Sequence, residues 1–144
     1  MLAYIKSVEE LSREEGLFAA FDLKHEFSTE WHKAMNPPTG STERVMILDK
    51  LNERLPIFTK GKDPKKILAT DVYLYKPKTL KSAIKLIQSD NTESDFGSPQ
   101  DIGEMSSSVI HDDNGIPMNK WQVKIQDLTT SIDKLWLVVR YKLI

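Results

Sequence analysis

The sequence predicts a mainly β protein: an antiparallel β-sandwich of about seven strands with an N-terminal helix and one short helix. Three observations lead there. Apolar residues recur with period two in several short runs, turn-forming residues separate the runs, and most of them fall in roughly the last 80 positions. The chain of 144 residues has the size of one domain. Area scaling gives a folded surface near ~7,500 Å² against ~24,000 Å² for the open chain, so a core can form without disulfides.

The first element expected is helical. Leu2, Ile5, Val8 and Leu11 stand at three-residue steps among Glu9, Glu10, Arg13, Glu14 and Glu15, and Gly16 ends the stripe. Residues 1–16 thus read as a helical lead-in and residues 17–144 as the sandwich. Phe21, Leu23, His25 and Phe27 alternate with Asp22, Lys24 and Glu26, the pattern of a strand with one wet face. Ser28 is placed to cap a short helix over Thr29 to Met35, which Pro37-Pro38 closes. Glu43 to Leu48 reads as a strand, and Lys50 to Phe58, interrupted by Pro56, predicts no regular element.

Strand character strengthens from Ile67. Leu68, Thr70, Val72 and Leu74 alternate with Ile67, Ala69, Asp71, Tyr73 and Tyr75, which predicts one aliphatic face and one aromatic and polar face up to Pro77. Ser82 to Gln88 repeats the pattern around Ile84 and Leu86. Residues 89–103 are rich in Ser, Asp, Asn, Gly and Pro and read as a long loop, either mobile or binding. Glu104 to His111 follows as a strand, and Asp112-Asp113-Asn114-Gly115 as the turn that ends it. Trp121, Val123 and Ile125 mark another strand. In the last, Leu135, Leu137, Val139, Tyr141 and Leu143 share a face.

Composition narrows the function classes without naming one. The absence of cysteine excludes thiol catalysis, thiolate metal sites and a disulfide scaffold. Twenty Lys and Arg against 21 Asp and Glu argue against nucleic-acid or anionic-membrane binding driven by bulk charge. Glu9-Glu10 interrupts the start before any signal-peptide-length apolar run, and the strongest apolar stretch, the five residues Leu135 to Val139, reads as a buried strand rather than a membrane span. The abrupt helical start and the final strand read as the end of a longer polypeptide.

Candidate chemistry is sparse. His25 and His32, seven apart, lack the i, i+4 spacing of a zinc helix, and no metal site is expected. His111 to Gly115 lacks the alternating acids and distal Glu of a calcium loop. Ser106-Ser107-Ser108 has no glycine elbow, although Ser108 with His111 leaves a hydrolase as the weakest rival. Lys60-Gly61-Lys62 with Lys65 and Lys66 lacks the phosphate-loop frame and reads as a solvated face. Tyr73 and Tyr75, with Trp31, Trp121 or Trp136, could form a platform on which sugar rings stack. No catalytic residues and no cofactor are expected.

One resemblance spans about residues 18 to 144. The order Phe21-Asp22-Leu23-Lys24-His25-Glu26-Phe27, Trp31-His32 and Met35-Asn36-Pro37 resembles the FDLRxDFPxxWxxxxNP signature near the C-terminus of Tc (toxin complex) A-component-like proteins. Leu55-Pro56-Ile57-Phe58, the strand Asp71 to Tyr75, and the close from Trp121 to Ile125 and Ile132 to Tyr141 are similar to later pieces of that pattern. Ser28 departs from it where the signature has proline, and Asn91 to Ser108 has no counterpart. The resemblance implies a secreted, extracellular sandwich at the end of a large bacterial pore-forming subunit. Its role there is to dock a toxin B-like component or join neighbouring protomers of a homo-oligomer, without inserting into the membrane itself. It further implies that Phe21, Leu23, Trp31, Phe58, Trp121 and Leu137 are core determinants. The expected function is therefore non-enzymatic docking, with Asp90, Asn91, Glu93, Asp95 and Phe96 of the long loop as partner contacts. The alternative is a carbohydrate-binding sandwich using Tyr73 and Tyr75.

Overall fold

The computed structural model describes residues 17–55, 67–97 and 99–143. The helical lead-in, Phe58 and the basic run from Lys60 to Lys66 lie outside the described residues. Within them the chain runs β1 (Leu17–Asp22), α1 (Leu23–Glu26), α2 (Ser28–Met35), β2 (Arg44–Leu48), a 3-10 turn (Leu51–Arg54), β3 (Ile67–Pro77), β4 (Ile84–Ile87), β5 (Glu93–Asp95), β6 (Gln100–Ile102), β7 (Met105–Pro117), β8 (Trp121–Ile125) and β9 (Trp136–Leu143). Nine strands form two antiparallel sheets, a five-stranded one in the order β1-β9-β3-β7-β6 and a four-stranded one in the order β2-β8-β4-β5. The mainly β fold expected from the alternation is the fold observed.

One apolar cluster joins the inward faces of both sheets. Val72, Leu74, Leu137 and Val139 come from one sheet, and Met46, Leu48, Leu86, Trp121 and Val123 from the other. Trp121 can be wholly buried because its indole N–H donates to the Pro117 carbonyl at 3.0 Å. Phe21, Leu23, Trp31 and Leu137 are buried as well. At one flank Phe27 packs edge-on to Phe21, with ring centroids 6.4 Å apart, and carries the Arg54 guanidinium 4.0 Å above its ring.

Several expected elements are corrected. The Phe21 to Phe27 alternation is a strand only to Asp22. There the Asp22 carboxylate accepts from the His25 amide and the chain turns into α1. Leu23 and Phe27, four apart, still both reach the core, because a helical turn buries that spacing as well as a strand buries period two. Ser28 is the first residue of α2 and not its cap; Phe27 holds the cap position without a side-chain bond. Residues 89–103 are no single loop. They contain β5 and β6, and Asn91 turns the β4–β5 hairpin at φ 69°.

The largest correction concerns the faces of β3. Its pairing with β9 steps from Ala69–Tyr141 to Asp71–Arg140, so Thr70 is an extra residue. The step switches parity: Ile67 and Ala69 point inward before it, and Val72 and Leu74 after it. Leu68 and Thr70 therefore do not share the core face with Val72 and Leu74. On the other side, β7 pairs Ile116 with Ala69 and His111 with Asp71, leaving residues 112–115 opposite Thr70. Asp112-Asp113-Asn114-Gly115 does turn, with the Asn114 amide donating to the Asp112 carboxylate at 2.9 Å, but pairing resumes beyond it. The turn signal thus builds an excursion inside a strand and does not end it. Gly115 has φ +85°, and a Cβ there would stand 2.6 Å from Leu68 Cβ, so no other residue fits without movement.

Candidate functional site

The register of the five-stranded sheet decides what its outer face displays. After the Thr70 bulge, Asp71, Tyr73 and Tyr75 of β3 point away from the core. They are flanked in rows by Arg140, Val138 and Trp136 of β9 and by His111, Val109 and Ser107 of β7. The rows extend to Phe18, Ala20 and Asp22 on β1, and to Gln100 and Ile102 on β6. Six large apolar side chains are exposed among the described residues, and four are on this face: Phe18 (62%), Ile102 (56%), Val109 (40%) and Trp136 (38%). Tyr73, Tyr75 and Val138 lie half-buried between them. The result is a broad apolar and aromatic platform on a rigid sheet, the kind of surface that marks an interaction site.

A polar cluster closes one end of the platform at the bulge. His111 Nδ1 lies 2.6 Å from Asp71 Oδ1, and Nε2 lies 2.6 Å from Asp113 Oδ1. Arg140 stands 3.7 Å from the other Asp71 oxygen, which also accepts from the Thr70 hydroxyl at 3.2 Å. Asp71 is buried by these neighbours, whereas His111 and Asp113 remain exposed. The two carboxylates hold the His111 pKa above the usual imidazole value, Asp71 contributing more than Asp113. No group of three or more potential metal ligands is present among the described residues.

The residues expected to contact a partner are placed elsewhere. Asp90 accepts from the Thr92 amide at 3.0 Å and shapes the hairpin turn with Asn91. Glu93 meets Lys124 at 3.1 Å and Lys85 at 3.9 Å, and Asp95 meets Lys85 at 3.9 Å, so both serve cross-strand ion pairs of the four-stranded sheet. Phe96 packs against the core. Of this set, Asp90 borders a cavity of about 430 Å³ shared with Gln88, Ser89, Pro117 and Asn119. Tyr73 and Tyr75, by contrast, sit together in the platform, and Trp136 pairs directly with Tyr75. Trp31 and Trp121 are buried and take no part.

Two other constellations dissolve. Ser108 points inward and is buried, whereas His111 points outward and is exposed, so the pair cannot act on one substrate. His25 binds Asp22 at 2.7 Å on α1, and His32 approaches Asn36 on α2. The residues missed in the sequence are Phe18, Val109 and Ile102. A signal existed for the first, since Leu17 to Phe21 is apolar on both strand faces, and one sandwich core covers only one of them. No helix among the described residues is long and apolar enough to cross a membrane. No protein-family model matches the chain, and no curated protein matches it.

Proposed function

We propose that this chain is a non-catalytic docking module whose contact surface is the outer face of the five-stranded sheet and whose partner is a protein. The observation that carries the proposal is the display of Val109 and Trp136 beside Tyr73 and Tyr75, with Phe18 and Ile102 exposed on the edge strands of the same face. Aromatic side chains at the centre of a patch are the anchors that carry most binding energy when a partner desolvates them, each costing roughly 2 kcal/mol or more on truncation. The bulge cluster of Asp71, His111 and Arg140 supplies a polar rim that would fix orientation. The resemblance of the residue order to Tc A-component-like proteins supports a toxin B-like component, or a neighbouring protomer, as that partner.

Titration calorimetry with a toxin B-like component tests the reading. Saturable binding is expected, weakened at least tenfold by Trp136→Ser with Tyr75→Ser and unchanged by Glu93→Gln with Asp95→Asn. Binding that survives the first pair, or that fails in the parent chain, overturns the partner assignment.

The second reading is carbohydrate binding. It is favoured by the adjacency of Tyr75 and Trp136, whose rings could stack on a sugar. Saturable binding of a pure glycan, abolished by Tyr73→Ala or Tyr75→Ala, would select it over protein docking.

A further inference from the structure

We propose that the cavity between β3, β4 and β7 is a binding site for a small oxyanion, a phosphate or sulfate group, held by Lys76 and Lys81. The cavity has a volume of about 140 Å³. Leu74, Ile84 and Phe96 form apolar walls, and the polar lining consists of Lys76, Lys81, Ser82 and Ser108, with no acidic side chain among the described lining residues.

Lys76 is the anomaly that points to a ligand. It continues the inward row of Val72 and Leu74, where the strand pattern requires an apolar residue, and it is only 7% exposed. Neither Lys76 nor Lys81 makes an ion pair to a described residue. The carboxylate that touches the lining, Asp127, accepts from the Ser82 hydroxyl at 2.9 Å. It is otherwise committed to its own loop through the amides of Thr129 and Thr130 and the Thr130 hydroxyl. The Lys76 stem is buried while its ammonium reaches the cavity with no described carboxylate beside it, and a partly desolvated cation gains from a counter-charge. Burial, and then the like charge of Lys81, push the Lys76 amine below the usual lysine range. A bound anion reverses both effects, since it neutralises the pair and draws them together.

Size and donor chemistry restrict the ligand. Pockets for drug-sized molecules begin near roughly 300 Å³, and this smaller cavity suits a single oxyanion group. Lysines bind such groups as point charges. The Ser108 hydroxyl is free to add a donor, since it has no hydrogen bond to another described residue, whereas the Ser82 proton is spent on Asp127. The mouth is lined by the exposed residues Lys81, Ala83, Gly97 and Pro99. A free ion or the terminal group of a larger molecule would therefore present the same chemistry. The site lies on the core side of the sheet and does not depend on the docking face.

Thermal unfolding of the full chain, at ionic strength held constant with chloride, tests the proposal. Inorganic phosphate or sulfate should raise Tm in a saturable manner. Lys76→Met should abolish that rise and, in chloride alone, leave Tm at or above the parent value, because the uncompensated cation is gone. Lys81→Met should weaken the apparent affinity roughly tenfold, in keeping with the ~1.4 kcal/mol that one such step represents. Glucose 6-phosphate matching phosphate, with glucose inert, would assign the site to a terminal group; phosphate alone acting would assign it to the free ion. Equal Tm in phosphate and chloride overturns the proposal, as does a phosphate response that persists in Lys76→Met. Should Lys76→Met not fold, amide NMR shifts of Lys76 and Gly97 that stay unmoved by phosphate in the parent overturn it instead.

Discussion

On the outer face of the four-stranded sheet, Lys124 stands between Glu93 at 3.1 Å and Glu43 at 3.6 Å, and Lys85 bridges Glu93 and Asp95. On the outer face of the five-stranded sheet, the corresponding central rows are Trp136–Tyr75–Ser107 and Val138–Tyr73–Val109. Both faces belong to antiparallel sheets over one shared core, and they differ in which side chains the register sends outward. The first covers its strands with long side chains whose charged ends stay in water while their stems shield the pleat. Ile47 is exposed there too, but singly, which is ordinary for a soluble surface. The second leaves four large apolar side chains in water on one platform, and covering it would release the free energy the first face has already gained locally. The contrast separates a face finished by its own residues from the one on which the proposed docking rests.

The platform depends on the bulge that sets its register, and breaking the bulge is expected to have the largest effect. Gly115→Ala places a Cβ 2.6 Å from Leu68 Cβ at a φ of +85°. Strain of this kind costs about 1–3 kcal/mol, and the displaced Leu68 adds to it, for a total of about 2–4 kcal/mol in urea denaturation. The more exposed turn glycine Gly103, also at positive φ but with open space where a Cβ would stand, should lose less on the same substitution. An equal loss at both would show that φ alone, and not the contact with β3, governs the excursion.

A smaller effect separates the faces by function. Trp136→Ala should weaken partner binding by about 2 kcal/mol, roughly thirtyfold, with little loss of stability, because the side chain is already partly in water. Lys124→Ala on the opposite face should leave binding unchanged. Calorimetry and thermal unfolding on the same two variants check both halves, and a binding loss at Lys124 would move the docking surface to the other sheet. Smaller again is the yield of the ion pairs themselves. Glu93→Gln should lower Tm by at most a few degrees at low salt and by less in high salt, as expected for exposed pairs.

How much of this was legible in the sequence follows from what period two encodes. It locates strands and separates their faces, which is why β8 and β9 and the buried set of Trp121, Val123, Leu137 and Val139 follow from the alternation. It does not encode a change of parity. Thr70 is an unremarkable strand residue in sequence, yet its insertion reverses the assignment of Leu68 relative to Val72. The polar hairpin of β5 was equally silent. Glu93 and Asp95 look like loop carboxylates until the register sets Asp95 across from Lys85 and Glu93 across from Ile87, within reach of Lys124. The pairing of Tyr75 with Trp136 is likewise long-range, decided by which strands are neighbours and not by either local sequence.

The polar rim offers the finest discrimination between the two faces, because its charge state is set by geometry. Both ring nitrogens of His111 face carboxylate oxygens at 2.6 Å, Asp71 on one side and Asp113 on the other. A neutral imidazole can donate through only one nitrogen, whereas the imidazolium donates through both, so the protonated form fits this cradle better. The folded-state pKa accordingly lies above the usual 6.5, with Asp71 the larger cause. The stabilisation it brings is fully present below the unfolded value and is lost as pH rises through the raised folded value. NMR titration of the ring protons should show that Asp71→Asn lowers the His111 pKa more than Asp113→Asn does. The buried Asp71 is held in place by Thr70 and Arg140, whereas Asp113 stands exposed on the excursion. The reverse order, or a parent value at or below 6.5, would mean that the excursion and not the bulged strand holds the imidazole. The polar end of the platform would then be far less rigid than its aromatic centre.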